Sequence, residues 1–98
     1  MELTMQQREA ARASLAARRE ERLAVLEELI AAGVQVMSED IYVERSVQVA
    51  PGATLLPGTI LRGKTTVAEG CVIGPNTLLE NAVIGKNTTV NASQVYDS

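Results

Sequence analysis

Leu55-Leu56-Pro57-Gly58-Thr59-Ile60, Leu61-Arg62-Gly63-Lys64-Thr65-Thr66, Val67-Ala68-Glu69-Gly70-Cys71-Val72 and Ile73-Gly74-Pro75-Asn76-Thr77-Leu78 are consecutive hexads, each opening on an aliphatic residue. Extended in both directions, the same spacing takes in Val43, Val49 and Leu79. A six-residue step is neither the 3.6-residue period of a helix nor the plain alternation of a strand. A fixed short repeat marks a solenoid, in which each unit buries its apolar face against its neighbours. Four residues after each aliphatic position stand Val47, Ala53, Thr59, Thr65, Cys71, Thr77 and Val83, all small or β-branched. Each hexad therefore reads as a short flat strand followed by a tight corner.

The corners carry the matching chemistry. Pro51-Gly52, Pro57-Gly58, Gly63-Lys64, Glu69-Gly70, Gly74-Pro75-Asn76 and Gly85-Lys86-Asn87 lie between the aliphatic positions. Gly and Asn tolerate the left-handed backbone of a tight turn, and Pro presets φ. Repeated prolines also exclude a helix here. The spacing shortens at Leu79-Glu80-Asn81-Ala82-Val83, and the register is expected to resume at Ile84, Val90 and Tyr96. A deletion at a corner keeps the inward face inward, whereas one within a strand would turn it over.

Composition bounds the rest. The chain has 98 residues, room for a single domain, and a net charge of −3, which argues against nucleic acid as a partner. It has no Phe or Trp and only two Tyr, so a base-stacking surface is not expected. Cys71 is the lone cysteine, excludes a disulfide framework, and falls in a small-residue slot, where a buried small hydrophobe is expected rather than a reactive thiol. No signal peptide or membrane span is visible, which points to a cytoplasmic protein without a membrane partner. A start at Met without a tag suggests a stand-alone module.

The first third is of another kind. Residues 4–32 contain no Gly or Pro and are rich in Ala, Leu, Glu and Arg, all strong helix formers. Thr4 with Gln7 fits a capping box, and Gly33 fits a left-handed stop. The resulting helix would be roughly 43 Å long at 1.5 Å per residue. Leu23, Leu26, Leu29 and Ile30 form an apolar stripe near its end. The last two turns are thus expected to pack on the solenoid and the earlier turns to project. Arg18-Arg19-Glu20-Glu21-Arg22 is expected to be a solvated face. No heptad is sustained, which argues against a coiled-coil zipper. The organisation expected is a helical arm over 1–33 and a solenoid over 34–98.

Ala31-Ala32-Gly33-Val34, Tyr42-Val43, Leu56-Pro57-Gly58-Thr59-Ile60-Leu61, Cys71-Val72-Ile73-Gly74-Pro75-Asn76-Thr77 and Val83-Ile84-Gly85-Lys86-Asn87 follow one another in a recognisable order. Hexads of this type resemble those of the hexapeptide-repeat acyltransferases. The ordered set, with its shortened step and the closing Val95-Tyr96-Asp97-Ser98, is similar to one region of a narrower family. These are the bacterial bifunctional enzymes that join glucosamine-1-phosphate acetyltransferase and N-acetylglucosamine-1-phosphate uridylyltransferase activities, also called UDP-N-acetylglucosamine pyrophosphorylases. The region is the linker helix and the first coils of the β-helix, and the resemblance covers about residues 20–98.

That resemblance implies a mainly β protein, a short left-handed parallel β-helix of about three coils behind one long α-helix. The hand comes from the resemblance alone, because parallel crossovers are otherwise right-handed. With eighteen residues per three-sided coil, the coils would be Val43–Ile60, Leu61–Leu78 and a shortened Leu79–Gln94. The resemblance also implies a homotrimer, whose contacts would cover flat faces that a stub of this length leaves bare.

The family's chemistry finds few residues to sit on. Its nucleotidyl transfer uses a Gly-rich loop with basic residues, and nothing before the helix provides one. Its acetyl transfer uses a histidine base and groups from later coils and a neighbouring subunit. This chain has no histidine, the usual general base near neutral pH. With no His and one Cys, no metal site is expected. Catalytic, cofactor-binding and metal residues are therefore all expected to be absent, with loss of sugar-nucleotide and acetyl-CoA binding. Only Arg45, Arg62, Lys64 and Lys86 offer themselves as phosphate contacts, and they read more simply as corner charges. Gly58-Thr59-Ile60-Leu61-Arg62-Gly63-Lys64-Thr65 matches the P-loop pattern, but Gly70, Gly74 and Pro75 leave no room for the helix that loop requires. Asn87-Thr88-Thr89 and Asn91-Ala92-Ser93 match the glycosylation pattern, which matters only in a secreted chain. Two expectations remain: a non-catalytic trimerising scaffold, or a piece of an active acetyltransferase or sugar-nucleotide-binding module whose catalytic parts lie in another chain or in sequence outside this one.

Overall fold

The computed structural model describes residues 2–98. One helix, α1 (Met5–Ala31), is followed by eleven short strands. In order these are β1 (Gln35–Val36), β2 (Ile41–Val43), β3 (Gln48–Val49), β4 (Thr54–Leu55), β5 (Thr59–Arg62) and β6 (Thr66–Val67). Then come β7 (Val72–Ile73), β8 (Thr77–Glu80), β9 (Val83–Ile84), β10 (Thr89–Val90) and β11 (Gln94–Tyr96). They pair in parallel as three sheets, β1-β4-β7-β10, β2-β5-β8-β11 and β3-β6-β9. Every third strand in sequence is thus a neighbour in space, which makes a three-sided parallel β-solenoid of about three turns behind a single long helix.

Stacking of equivalent residues builds the core. Val36, Leu55, Ile73 and Val90 form one inward column, Val43, Leu61, Leu79 and Val95 a second, and Val49, Val67 and Ile84 a third. Leu55, Leu61, Ile73 and Leu79 are fully buried. The small-residue slot is buried as well, in Ala53, Thr59, Thr65, Cys71 and Thr77. Its polar members reach corner carbonyls. Thr59 Oγ1 donates to Leu56 O at 2.7 Å or Ile73 O at 3.1 Å, and Thr65 Oγ1 donates to Arg62 O at 2.7 Å. Buried hydroxyls therefore keep hydrogen-bond partners.

The register differs from the expected one at two places. Val83 is 68% exposed, and Ala82 fills the buried slot instead. The missing residue falls in the corner at Glu80-Asn81, ahead of Ala82. Asn81 adopts φ 52°, and its Oδ1 accepts the Lys64 N–H at 2.8 Å across the shortened corner. Tyr96 likewise points outward, because Val95 is the residue that stacks on Leu79. A second residue is missing between Val90 and Val95. The repeat consequently contracts along the stack, from Val36 to Leu55, through Leu61 to Leu79 and Val67 to Ile84, to Leu79 to Val95. The extra residue in the first coil lies between Val36 and Ile41, and the first strand is Gln35–Val36, ahead of Val43, from which the hexads count the coils.

The arm follows its capping chemistry. The Thr4 hydroxyl accepts the Gln7 N–H at 3.1 Å, and Gln7 Oε1 accepts the Thr4 N–H at 2.9 Å. At the other end Gly33, with φ 103°, lets its own N–H reach Ile30 O and that of Val34 reach Leu29 O, both at 3.0 Å. This paired arrangement satisfies carbonyls that the last turn would leave open. Val25 and Leu26 enter the core, Leu23 and Leu29 pack at its edge, and Ile30 is exposed. The inward stripe is therefore rotated from the expected one, with Val25 in place of Ile30. Residues 2–21 are exposed throughout, so the early turns project as expected.

The segment expected to be a solvated face is exposed over Arg18–Glu21, and it also carries ion pairs to the first coil. Glu21 and Glu28 both hold Arg45 of the first coil, the latter at 2.8 Å to Nη1. Arg19 lies 3.6 Å from Glu39, and Arg22 is half-buried. Exposed pairs of this kind fix orientation more than they add stability.

Candidate functional site

The cationic candidates are dispersed and mostly engaged. Arg45 is bound to Glu21 first and Glu28 second, and their carboxylates raise its pKa above the ordinary arginine value. Arg62 faces Glu80 at 3.8 Å, and Lys86 faces Glu69 at 3.3 Å. Lys64 makes no ion pair among the described residues. Arg62 and Glu80 lie in register on β5 and β8. These charges run along corners and strands and do not converge on one point, so the four do not form a phosphate cradle.

The P-loop-like stretch has a different structure. Residues 59–62 are strand β5, and Thr66 begins strand β6 where the phosphate-binding helix would have to start. Thr65, whose hydroxyl would be free for a metal in a nucleotide loop, is fully buried and bonded to Arg62 O. Cys71 is fully buried, with its Sγ donating to Gly85 O at 2.9 Å. It occupies the slot that threonine fills in the adjacent hexads, Thr65 and Thr77. Among the described residues no cluster of three His, Cys, Asp or Glu side chains is placed to hold a metal. No helix among them is long and apolar enough to cross a membrane.

Two surface features remain. One is an outward column on the second sheet, Tyr42, Ile60 and Leu78, which stack in register. Tyr42 is 43% and Ile60 39% exposed. Beside it runs the charged column Glu44, Arg62, Glu80. The hexad predicts that every second residue faces out, yet it gives no reason for three outward positions in a row to be apolar. The other feature is a groove of ≈ 480 Å³ where the arm leaves the solenoid, between Arg18 and Arg22 on the helix and Tyr42 on the first coil. It depends on how the helix is docked, which no local pattern in the sequence encodes.

The chain matches no family model. Parts of it are similar to proteins named "Bifunctional protein GlmU". The Thermus thermophilus protein is 51% identical over 39 residues, 40% of this chain and 9% of the relative. That of Alkaliphilus oremlandii is 41% identical over 46 residues, 46% of this chain and 10% of the relative. That of Caldanaerobacter subterraneus subsp. tengcongensis is 42% identical over 43 residues, 43% and 9% respectively. The matched stretch thus spans about a tenth of the length of these curated relatives. Over that stretch the chain is similar to bifunctional GlmU proteins, and its short solenoid behind one helix is consistent with their hexapeptide-repeat β-helix.

Proposed function

We propose that this GlmU-related chain is a non-catalytic scaffold that trimerises through its solenoid faces. The observation that carries the proposal is the outward column on the second sheet, centred on Ile60 and Leu78, with Tyr42 at its rim where the groove beside the arm opens. Singly exposed apolar residues are ordinary, whereas a contiguous column suits a protein contact. In a threefold arrangement each protomer lays one flat face against a different face of its neighbour, and the ring closes without leaving a free patch. The third sheet offers a fitting opposite surface, with Ala50, Ala68 and exposed Val83 around a shallow depression.

The non-catalytic half of the proposal rests on side-chain chemistry. The only thiol is buried in the stack, no histidine is present, and three of the four candidate cations face carboxylates. Binding of a sugar nucleotide or acetyl-CoA at those positions would have to displace these partners. The test is release of free CoA from acetyl-CoA with glucosamine-1-phosphate. The expected rate equals that of the protein-free blank. Turnover that scales with the concentration of this chain would overturn the proposal and favour an active acetyltransferase piece.

A further inference from the structure

We propose that the groove at the junction of arm and solenoid is a binding site for a small phosphate-bearing ligand, held by Arg18 and Arg22 against the ring of Tyr42. The groove encloses ≈ 480 Å³, within the range of small-molecule sites and larger than a bare phosphate needs. Arg18 and Arg22 lie one helical turn apart and both line it. Like charges at that spacing repel, and an anion between them removes the penalty. Neither has a carboxylate within ion-pair reach among the described residues, unlike Arg19 and Arg45 nearby.

The state of Arg22 adds a second, independent argument. Its Nε is buried and has no hydrogen-bond partner, the only such side-chain atom among the described residues. Buried polar groups are normally satisfied, so the orphaned nitrogen marks a guanidinium still short of an acceptor, which a ligand in the groove would meet at the outer nitrogens rather than at Nε. The groove's two carboxylates do not supply it. Glu21 is spent on Arg45, and Glu44 Oε1 accepts the Gly63 N–H at 2.8 Å. A guanidinium presents a planar fork of donors that matches phosphate oxygens. The Tyr42 ring, 43% exposed on the opposite wall, offers an apolar surface for whatever the phosphate is attached to. A phosphate monoester carrying a ring meets all of these features.

The test is an NMR titration of the full chain with inorganic phosphate and with phenyl phosphate, against potassium chloride of equal ionic strength. Saturable shifts are expected at Arg18, Arg22 and Tyr42, with phenyl phosphate binding several-fold more tightly. Arg22→Gln and, separately, the exposed-site variant Arg18→Gln should each weaken binding at least tenfold, while Lys64→Gln leaves it unchanged. The second arginine variant guards against a docking defect in the first. Unsaturable shifts spread over Arg62, Lys64 and Lys86, or full retention of binding in both arginine variants, would overturn the assignment.

Discussion

Leu61→Ala is expected to destabilise the fold by about 3–4 kcal/mol, within the range for a leucine removed from a packed core. Leu61 is fully buried in the middle of its column, with Val43 on one side and Leu79 on the other. The cavity cannot close easily, because the backbone on both sides is fixed by parallel ladders. In a domain of this size each kcal/mol moves the melting temperature by roughly 4–8 °C. The midpoint should therefore fall by on the order of 20 °C, measured by circular dichroism at fixed protein concentration. Val83→Ala provides the internal contrast. In the register expected from the hexads it would empty a buried slot, yet Val83 is exposed. Its effect on the dissociated single chain, measured at high dilution, should stay within about 0.5 kcal/mol, as for ordinary surface positions. A large loss at Val83 in the dissociated chain would show that the third coil is built in the other register.

Gly58→Ala is expected to cost about 2–3 kcal/mol from two sources. Gly58 has φ 82°, in the left-handed region that costs an L-residue roughly 1–2 kcal/mol. A Cβ there would also stand 2.7 Å from Asn76 Oδ1 and 3.0 Å from its backbone nitrogen, one coil further on. Asn76 is itself left-handed, with φ 52°. The corners therefore stack a glycine beneath an asparagine, and the glycine lacks a side chain because the asparagine amide occupies that space. The pairing recurs where Gly63 lies against Asn81. Chemical denaturation should report a lower midpoint for Gly58→Ala. Gly58→Ala with Asn76→Gly should recover the part due to the Asn76 amide and leave the parts due to φ and to the backbone contact. Equal loss in the single and double variants would show that the Asn76 amide contributes nothing.

The fold was legible because one spacing dictates it. Columns such as Leu55–Ile73 and Leu61–Leu79 need only the hexad, and the corner residues agree with it. The ends of the third coil were less legible. Glu80-Asn81-Ala82-Val83 contains two candidates for the small slot, and the choice depends on which side of Ala82 the deletion falls. Asn81 decides it by taking the left-handed corner and accepting the Lys64 N–H, a contact made seventeen residues away. Val95-Tyr96 poses the same ambiguity, settled by pairing with Leu79-Glu80. The candidate site was hardly legible at all. Arg45 meets Glu21 and Glu28 only because the helix docks across the first coil. The groove beside them belongs to that docking angle, and no repeat in the chain specifies it.

The scaffold reading stands or falls on self-association through the solenoid faces. The most direct measurement is the molar mass in solution by light scattering, on the full chain at tens of micromolar. The account predicts about three times the 10.5 kDa of the single chain, with Ile60→Glu reducing it to the monomer value while parallel-β circular dichroism persists. A mass of 10.5 kDa for the unsubstituted chain across that concentration range would contradict it.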